Sequence, residues 1–431
     1  MGARAHSPLP AARGVALSCL EEVLFQHQDL QASLDAHVSN TLLDARDRGL
    51  VTELAYGVCR HKLHLETLLR RYLQPKTRLK PRLRLILTAA AYEIVFLDRV
   101  PAYASVDWAV EAVKHRVAAA RAGLANAVLR RLGREVEARG KTALRQELYH
   151  VPGEHHRDWA RAFSCPEWIV QLWREAYGDK RAAALLAASL RPAPVGLRFA
   201  PDGQGPRMWE MWRWRPECIA SSALGVALSG VDVAEIETLE REQTAQRQSL
   251  AAQEALWALG PRQWESPLWD ACCGRGGKTF FCQELGLKVV SSDRHRKRLA
   301  MLGQHVSQAC LADAVHPPLQ PGAVRTVLLD VPCSGLGVLS RRPDSKWKRA
   351  PEDISQLVAL QRRLLRAAWA VLPVGGRLVY MTCTCIPAEN EDQVAWMQRD
   401  ADAVFLEKQW QTPWDSVLGE FFFTASLVKR G

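Results

Sequence analysis

The run Leu268-Trp269-Asp270-Ala271-Cys272-Cys273-Gly274-Arg275-Gly276-Gly277-Lys278-Thr279 carries a short apolar stretch into a glycine-rich turn and on into a helical pattern. Its glycines allow close backbone approach, and a helix amino end offers unpaired N–H groups, so the turn suits an anionic or polar nucleotide group. It is neither the dinucleotide-binding GxGxxG nor the phosphate loop GxxxxGK[ST]. What sharpens it is order along the chain. The next short run, Leu287–Asp293, ends on an acid at about the spacing where ribose hydroxyls are received, and Asp313 closes the following segment where an adenine amino group can be read. Each aspartate alone is more often a cap or turn residue. In series they describe a cofactor built on adenosine.

Further β-rich runs follow at Thr326–Asp330 and Arg377–Thr382, with Ile354, Leu357, Gln361 and Leu364 marking an intervening helix. Strands alternating with helices imply a parallel sheet in a doubly wound α/β domain, with ligands at the strand carboxyl ends. Phe405–Trp410 and Phe421–Val428 are expected to close the sheet as an antiparallel hairpin. Two of the runs deliver thiols to those ends, through Asp330-Val331-Pro332-Cys333-Ser334-Gly335 and Tyr380-Met381-Thr382-Cys383-Thr384-Cys385-Ile386-Pro387. Cys19, Cys59, Cys165, Cys218, Cys282 and Cys310 read as small buried hydrophobes, and Cys385 as a spectator at a turn. Cys333 and Cys383 differ by position.

Thiols beside an adenosine cofactor point to one chemistry. Carbon 5 of a pyrimidine is too poor a nucleophile to take a methyl group directly, whereas a thiolate adding to carbon 6 makes carbon 5 enamine-like. An acid near N3 offsets the charge that develops, and Asp330, just before Cys333, fills that place.

The chain has 431 residues, enough by length for about three domains of roughly 150 residues. At 48% hydrophobic and 24% charged residues it is globular. No apolar run reaches a membrane span, and Met1 to Pro10 lacks a signal-peptide core, so the expectation is a soluble cytoplasmic protein. Lys and Arg number 57 against 46 Asp and Glu, a net +11 that suits a polyanionic partner such as nucleic acid. The eleven cysteines fit neither a disulfide framework nor paired zinc spacing, so reduced thiols and no metal are expected.

From Ala11 to Leu132 apolar residues return at helical spacing, as in Val15, Cys19 and Val23 or Leu50, Leu54 and Val58. Basic residues crowd the turns at Pro75 and Pro81: Arg60, His61, Lys62, Arg70, Arg71, Lys76, Arg78, Lys80, Arg82 and Arg84. They read either as a solvated face or as an RNA-facing surface. Between Pro152 and about Ser249 the pattern is mixed. There Trp209, Trp212 and Trp214 alternate with Arg213 and Arg215, side chains that can stack on bases or pack on a neighbouring domain. The division is therefore an all-helical segment 1–145, a small mixed α/β linking segment 146–248 and a catalytic domain 249–431.

The run Leu328 to Val338 with Arg341-Arg342-Pro343-Asp344-Ser345-Lys346-Trp347 resembles a signature of RNA cytosine-5 methyltransferases. Val379-Tyr380-Met381-Thr382-Cys383-Thr384 with Pro387, Glu389 and Asn390 resembles their nucleophile signature, and Asp270 to Thr279 their cofactor loop. Ala11–Leu132, including Arg99 to Ala104 and Ala125 to Arg130, is similar to the NusB-type helical RNA-binding domain, and the combination resembles the bacterial 16S rRNA cytosine-5 methyltransferase B type.

The resemblance implies a class I methyltransferase fold and methylation of carbon 5 of a cytosine in 16S rRNA, naked or partly assembled, with no obligate protein partner. Transfer RNA or another RNA is the alternative substrate, and a non-catalytic RNA-binding or antitermination-like protein with a degenerate methyltransferase domain is the alternative of another class. The resemblance further implies S-adenosylmethionine held by Cys272, Cys273, Gly274, Arg275, Gly276, Gly277, Lys278, Asp293, Asp313 and Asp330. Cys383 is then the nucleophile and Cys333 assists product release, although in DNA cytosine methyltransferases the Pro-Cys thiol attacks. Cys273-Gly274-Arg275 replaces the family's Ala-Ala-Pro, Ala200 its Asn and Arg247 its Asp, while Arg341 and Arg342 read as phosphate contacts.

Overall fold

The computed structural model describes residues 11–151, 153–300, 302 and 308–431. Residues 1–10 and Pro152, used above, lie outside them. The chain forms two compact units, one running up to Leu190 and joined by Arg342–Lys348, the other comprising Arg191–Arg341 and Arg349–Gly431. The expected boundary at 145/146 falls inside the helical unit.

That unit contains the helices Ala11–Phe25, Leu30–Ser39, Ala45–Arg70, Pro81–Phe96, Ala102–Arg116 and Ala122–Arg139, followed by Lys141–Leu148, His156–Ala162 and Glu167–Leu190. Asp29 and Asp44 cap two of them by accepting Ala32 and Asp47 backbone N–H groups, and Pro81 opens a third where its missing N–H costs nothing. Leu17, Leu20, Val58, Leu65, Ile86 and Leu129 form part of the core. Buried among them, the Glu93 carboxylate accepts from Arg13, Ser105 and Trp108. A buried charge requires such saturation.

The expected basic face is only partly a face. Arg60 and His61 are buried, His61 at a helix kink with its ring stacked 4.3 Å from that of Phe96. Lys76, Arg78, Lys80 and Arg84 are exposed, whereas Arg71 is paired with Glu147 and Arg82 with Glu21. The segment Arg342–Lys348 folds with these helices although its sequence resembles part of a catalytic signature. Its fully buried Lys346 donates to the Arg60 carbonyl at 3.0 Å, and Trp347 Nε1 to that of Cys59 at 2.6 Å.

The second unit opens with a small antiparallel sheet built from β1 (Val195–Phe199), β2 (Cys218–Ser222), β3 (Gly225–Leu228) and β4 (Ala245–Arg247), in the order β2-β3-β1-β4. Only β1 stands out in the sequence. The main sheet then uses β5 (Leu268–Asp270), β6 (Val289–Asp293), β7 (Ala309–Leu311), β8 (Thr326–Asp330), β9 (Arg377–Thr382), β10 (Val404–Gln411) and β11 (Phe423–Lys429). Its order is β10-β11-β9-β8-β5-β6-β7, with β5 to β9 parallel and the last two antiparallel, as the hairpin expectation required. The three-residue β7 carries too little pattern to be seen beforehand.

Both faces of the central strands are buried. Trp269, Leu329, Leu378 and Tyr380 pack with Leu365 and Trp369 on one face, while Leu268, Leu328, Val379 and Met381 pack with Leu256 and Phe281 on the other. Such apolar runs are what a covered parallel sheet demands. Strand order reverses between β5 and β8, so their carboxyl ends open the crevice where a doubly wound sheet binds its ligand.

Candidate active site

The glycine-rich turn sits at the carboxyl end of β5 and leads into the helix Gly277–Glu284. Gly276 has φ +86°, and a Cβ there would come within 2.2 Å of Leu302 Cδ2, so any other residue must hold a strained backbone and displace the Leu302 side chain. Asp293, at the end of β6, is buried and accepts the Gly274 N–H at 3.0 Å and the His295 N–H at 2.7 Å. It thus ties the turn to the neighbouring strand. Asp313 is exposed beyond β7, and its side chain accepts the Val315 N–H at 3.0 Å. Both acids serve as turn carboxylates, each with lone pairs left over. Arg275 is exposed, Cys272 packs against the core, and Cys273 is buried beside Leu302.

Asp270 lies beneath the turn, wholly buried, with Oδ2 receiving the Thr279 hydroxyl at 2.6 Å and Oδ1 without a hydrogen-bond partner. Burial pushes its carboxyl up to about 7. Lys278, on the first turn of the helix, reaches Asp330 Oδ2 at the end of β8, 2.6 Å away. Burial works against its charge, but Asp330 beside it, with Cys383 and Asp270, holds the ammonium above its ordinary range.

β8 and β9 also bring the two expected thiols together, with Cys333 Sγ 3.3 Å from Cys383 Sγ and 3.4 Å from the Cys383 backbone nitrogen. The hydrogen bond with Cys383 and burial push the Cys333 thiol well up, so Cys333 keeps its proton. Cys385, past the end of β9, is buried and likewise pushed up.

A network of buried polar groups fixes the two thiol loops. Glu389 Oε2 accepts the Ser334 N–H and the Gln361 amide, both at 2.9 Å, and the Glu389 carbonyl accepts the Tyr380 hydroxyl at 2.7 Å. Asn390 accepts from Thr382 at 2.5 Å and donates to the Thr384 carbonyl at 3.0 Å, while Ser334 and Thr384 share a hydroxyl contact of 2.7 Å. Gln361 was legible only as a polar residue on an apolar helix face, and that anomaly was its signal. Gly337 completes the clamp by donating its N–H to the Cys383 carbonyl at 3.0 Å.

Two arginines take structural places. Arg341 makes a two-pronged pair with the buried Glu420 at 2.7 and 2.9 Å, in place of the expected phosphate contact. Arg198 on β1 is buried and binds Glu284 through both prongs at 2.8 Å and the Gly277 carbonyl at 3.1 Å, gripping the helix that follows the cofactor turn. Nothing in the sequence reading foresaw either pair. Among the described residues no acid, thiol and imidazole cluster could hold a metal, and no helix is long and apolar enough to cross a membrane.

Comparison with known proteins gives the family. The family model "16S rRNA methyltransferase RsmB/F" matches residues 256–424, and the NusB family model matches residues 10–134. A probable ribosomal RNA small subunit methyltransferase B from Synechocystis sp. is 31% identical over 94% of this chain and 92% of its own. Among solved structures, PH0851 shares the fold at TM-score 0.75 and 18% identity, covering 99% of this chain and 100% of that one. A methyltransferase homolog from Pyrococcus horikoshii does so at TM-score 0.50 and 20% identity, covering 64% of this chain and 99% of that one. With thiols and a nucleotide turn at the switch point, and likeness extending through the helical segment, the chain belongs to the ribosomal RNA small subunit methyltransferase B family.

Proposed function

We propose that the chain methylates carbon 5 of a cytosine in 16S rRNA, naked or partly assembled, in the cytoplasm, through a covalent bond between Cys383 and carbon 6 of the base. The observation that carries this reading is the 3.3 Å approach of the Cys333 and Cys383 sulfurs at the ends of adjacent parallel strands. S-adenosylmethionine fits as the methyl donor. A side chain at Gly276 would displace Leu302, Asp293 is fixed at the rim of the cradle, and the buried Asp270 Oδ1 is left unpaired beneath it. The backbone from Cys272 to Gly277 with Asp293 and Asp313 would hold the adenosine, and Lys278 and Asp330 the amino-acid end. When bound, the cofactor supplies an electrophilic methyl group on its sulfonium sulfur.

Cys383 acts as a thiolate. Its Sγ bonds to carbon 6, the π electrons of the ring shift toward N3, and carbon 5 becomes enamine-like. Asp330, with the Lys278 ammonium on one oxygen, lends N3 the proton that offsets the charge arriving there and takes it back when the ring is restored. After carbon 5 has gained its methyl group, its proton passes to water and that electron pair restores the double bond as Sγ leaves. Cys333 keeps its proton and donates it in a hydrogen bond to the departing Cys383 sulfur, which eases release. The base must leave its stack, at a cost of a few kcal/mol, so an unpaired cytosine is favoured.

The test is transfer of labelled methyl from S-adenosylmethionine to protein-free 16S rRNA. Carbon 5 of one cytosine should be labelled, Cys383→Ala should abolish the label, and Cys333→Ala should accumulate an RNA adduct stable to denaturant. The adduct appearing in Cys383→Ala instead would reverse the two roles. Label on transfer RNA alone would overturn the substrate, and label on neither RNA would overturn the reading.

A further inference from the structure

The helix Gly205–Trp212 and the residues after it carry aromatic and cationic side chains beside the small sheet. Trp212 is buried against Phe199 in the core of the small sheet. Trp214 does the opposite, with 74% of its surface in water beside Met211 at 58%. Its indole is nevertheless held. Nε1 donates to Glu210 Oε1 at 3.0 Å, and Glu210 Oε2 lies 3.5 Å from Arg213 Nη1. The Arg213 guanidinium lies 4.6 Å from the Trp209 ring centre and 5.0 Å from that of Trp214, while Trp209 Nε1 donates to the Gly225 carbonyl at 3.2 Å. One carboxylate therefore fixes an indole and a guanidinium, and the whole stack is anchored to the start of β3.

We propose that Trp214, backed by Arg213 and Trp209, is a stacking platform for an unpaired base of single-stranded RNA. The proposal rests on the reading of RNA as substrate and adds a place where the strand is gripped outside the catalytic cleft. An indole that is fixed beforehand loses little rotamer freedom on binding. Bases of every type offer a π face, which makes such a contact tolerant of sequence, and the guanidinium against Trp214 adds a cation to the stack. Arg207, exposed on the same short helix, supplies a cation for the adjoining phosphate. Arg207 and Arg213 beside the exposed indole suit a polyanion better than an apolar protein partner.

The test measures binding of the full chain to a fluorescein-labelled single-stranded RNA of about twelve nucleotides, and to the same RNA annealed to its complement. Base stacking of about 1–3 kcal/mol corresponds to about a 5- to 150-fold loss of single-strand affinity in Trp214→Ala, with Trp214→Phe recovering most of it. Duplex affinity and the melting temperature should not move. In methyl transfer to 16S rRNA, Trp214→Ala should raise KM and leave kcat in place. Unchanged single-strand affinity, or equal losses for single strand and duplex, would overturn the platform. A Trp214-dependent grip in a wild-type chain that transfers no methyl would sustain the platform and sink the methylation reading, while methyl transfer with Trp214→Ala matching wild type in both assays would do the reverse.

Discussion

Cys333 Sγ and Cys383 Sγ lie 3.3 Å apart although 50 residues separate them in the chain. A disulfide needs about 2.0 Å between sulfurs, so a small side-chain movement closes the gap. Mild oxidation with diamide should therefore link the two residues in one peptide pair, abolish methyl transfer and be reversed by dithiothreitol. Peptide mapping checks the link. Full activity in the linked protein would exclude Cys383 as nucleophile.

Gly337 lies against the backbone of the Cys383 loop, and a Cβ there would fall 2.3 Å from the Phe421 carbonyl oxygen and 2.9 Å from that of Cys383. Both are backbone atoms, so relief requires the loops to part. Gly337→Ala should cost about 1–3 kcal/mol of stability and reduce kcat far more than it raises KM for RNA. Denaturant melts and steady-state kinetics report the two effects separately.

Lys278 and Asp330 meet at 2.6 Å in the crevice. Charge-assisted hydrogen bonds contribute about 1.5–3 kcal/mol. Lys278→Met, which keeps the stem and removes the charge, should weaken S-adenosylmethionine binding by about 10- to 150-fold in calorimetry. Unchanged affinity would place the amino-acid end of the cofactor elsewhere.

Asp270 has its carboxyl raised by burial from 3.8 to about 7 in the folded chain. The folded state binds its proton more tightly than the unfolded state does. Its contribution to stability is thus fully present below about pH 4 and is lost as pH rises through about 7. Asp270→Asn should flatten that fall, and in melts across this range the variant should gain on wild type toward pH 8. Parallel curves for the two proteins would contradict the assignment.

Much of the catalytic half was legible along the chain. β8 and β9 are uniform apolar runs that end on polar turns, and the glycine turn with Asp293 two elements on follows from local pattern. The supporting shell was not legible. Glu389 and Asn390 stood within a familiar signature, but their partners Ser334, Gln361 and Thr382 come from three different segments. Arg341 looked like a hand for phosphate until Glu420, 79 residues away, took its guanidinium.

By itself the sequence determined the longer strands of the main sheet, the cofactor turn and the arrival of two thiols at strand ends, because these depend on side-chain period and on turn chemistry within a few residues. Only the tertiary structure decided that the sulfurs touch, that Arg60 and His61 leave the basic face for the core, and that Lys346 is buried with the helices instead of the sheet. Those outcomes turn on burial and on polar groups finding partners far along the chain, and such pairing is set by packing, which no local pattern encodes.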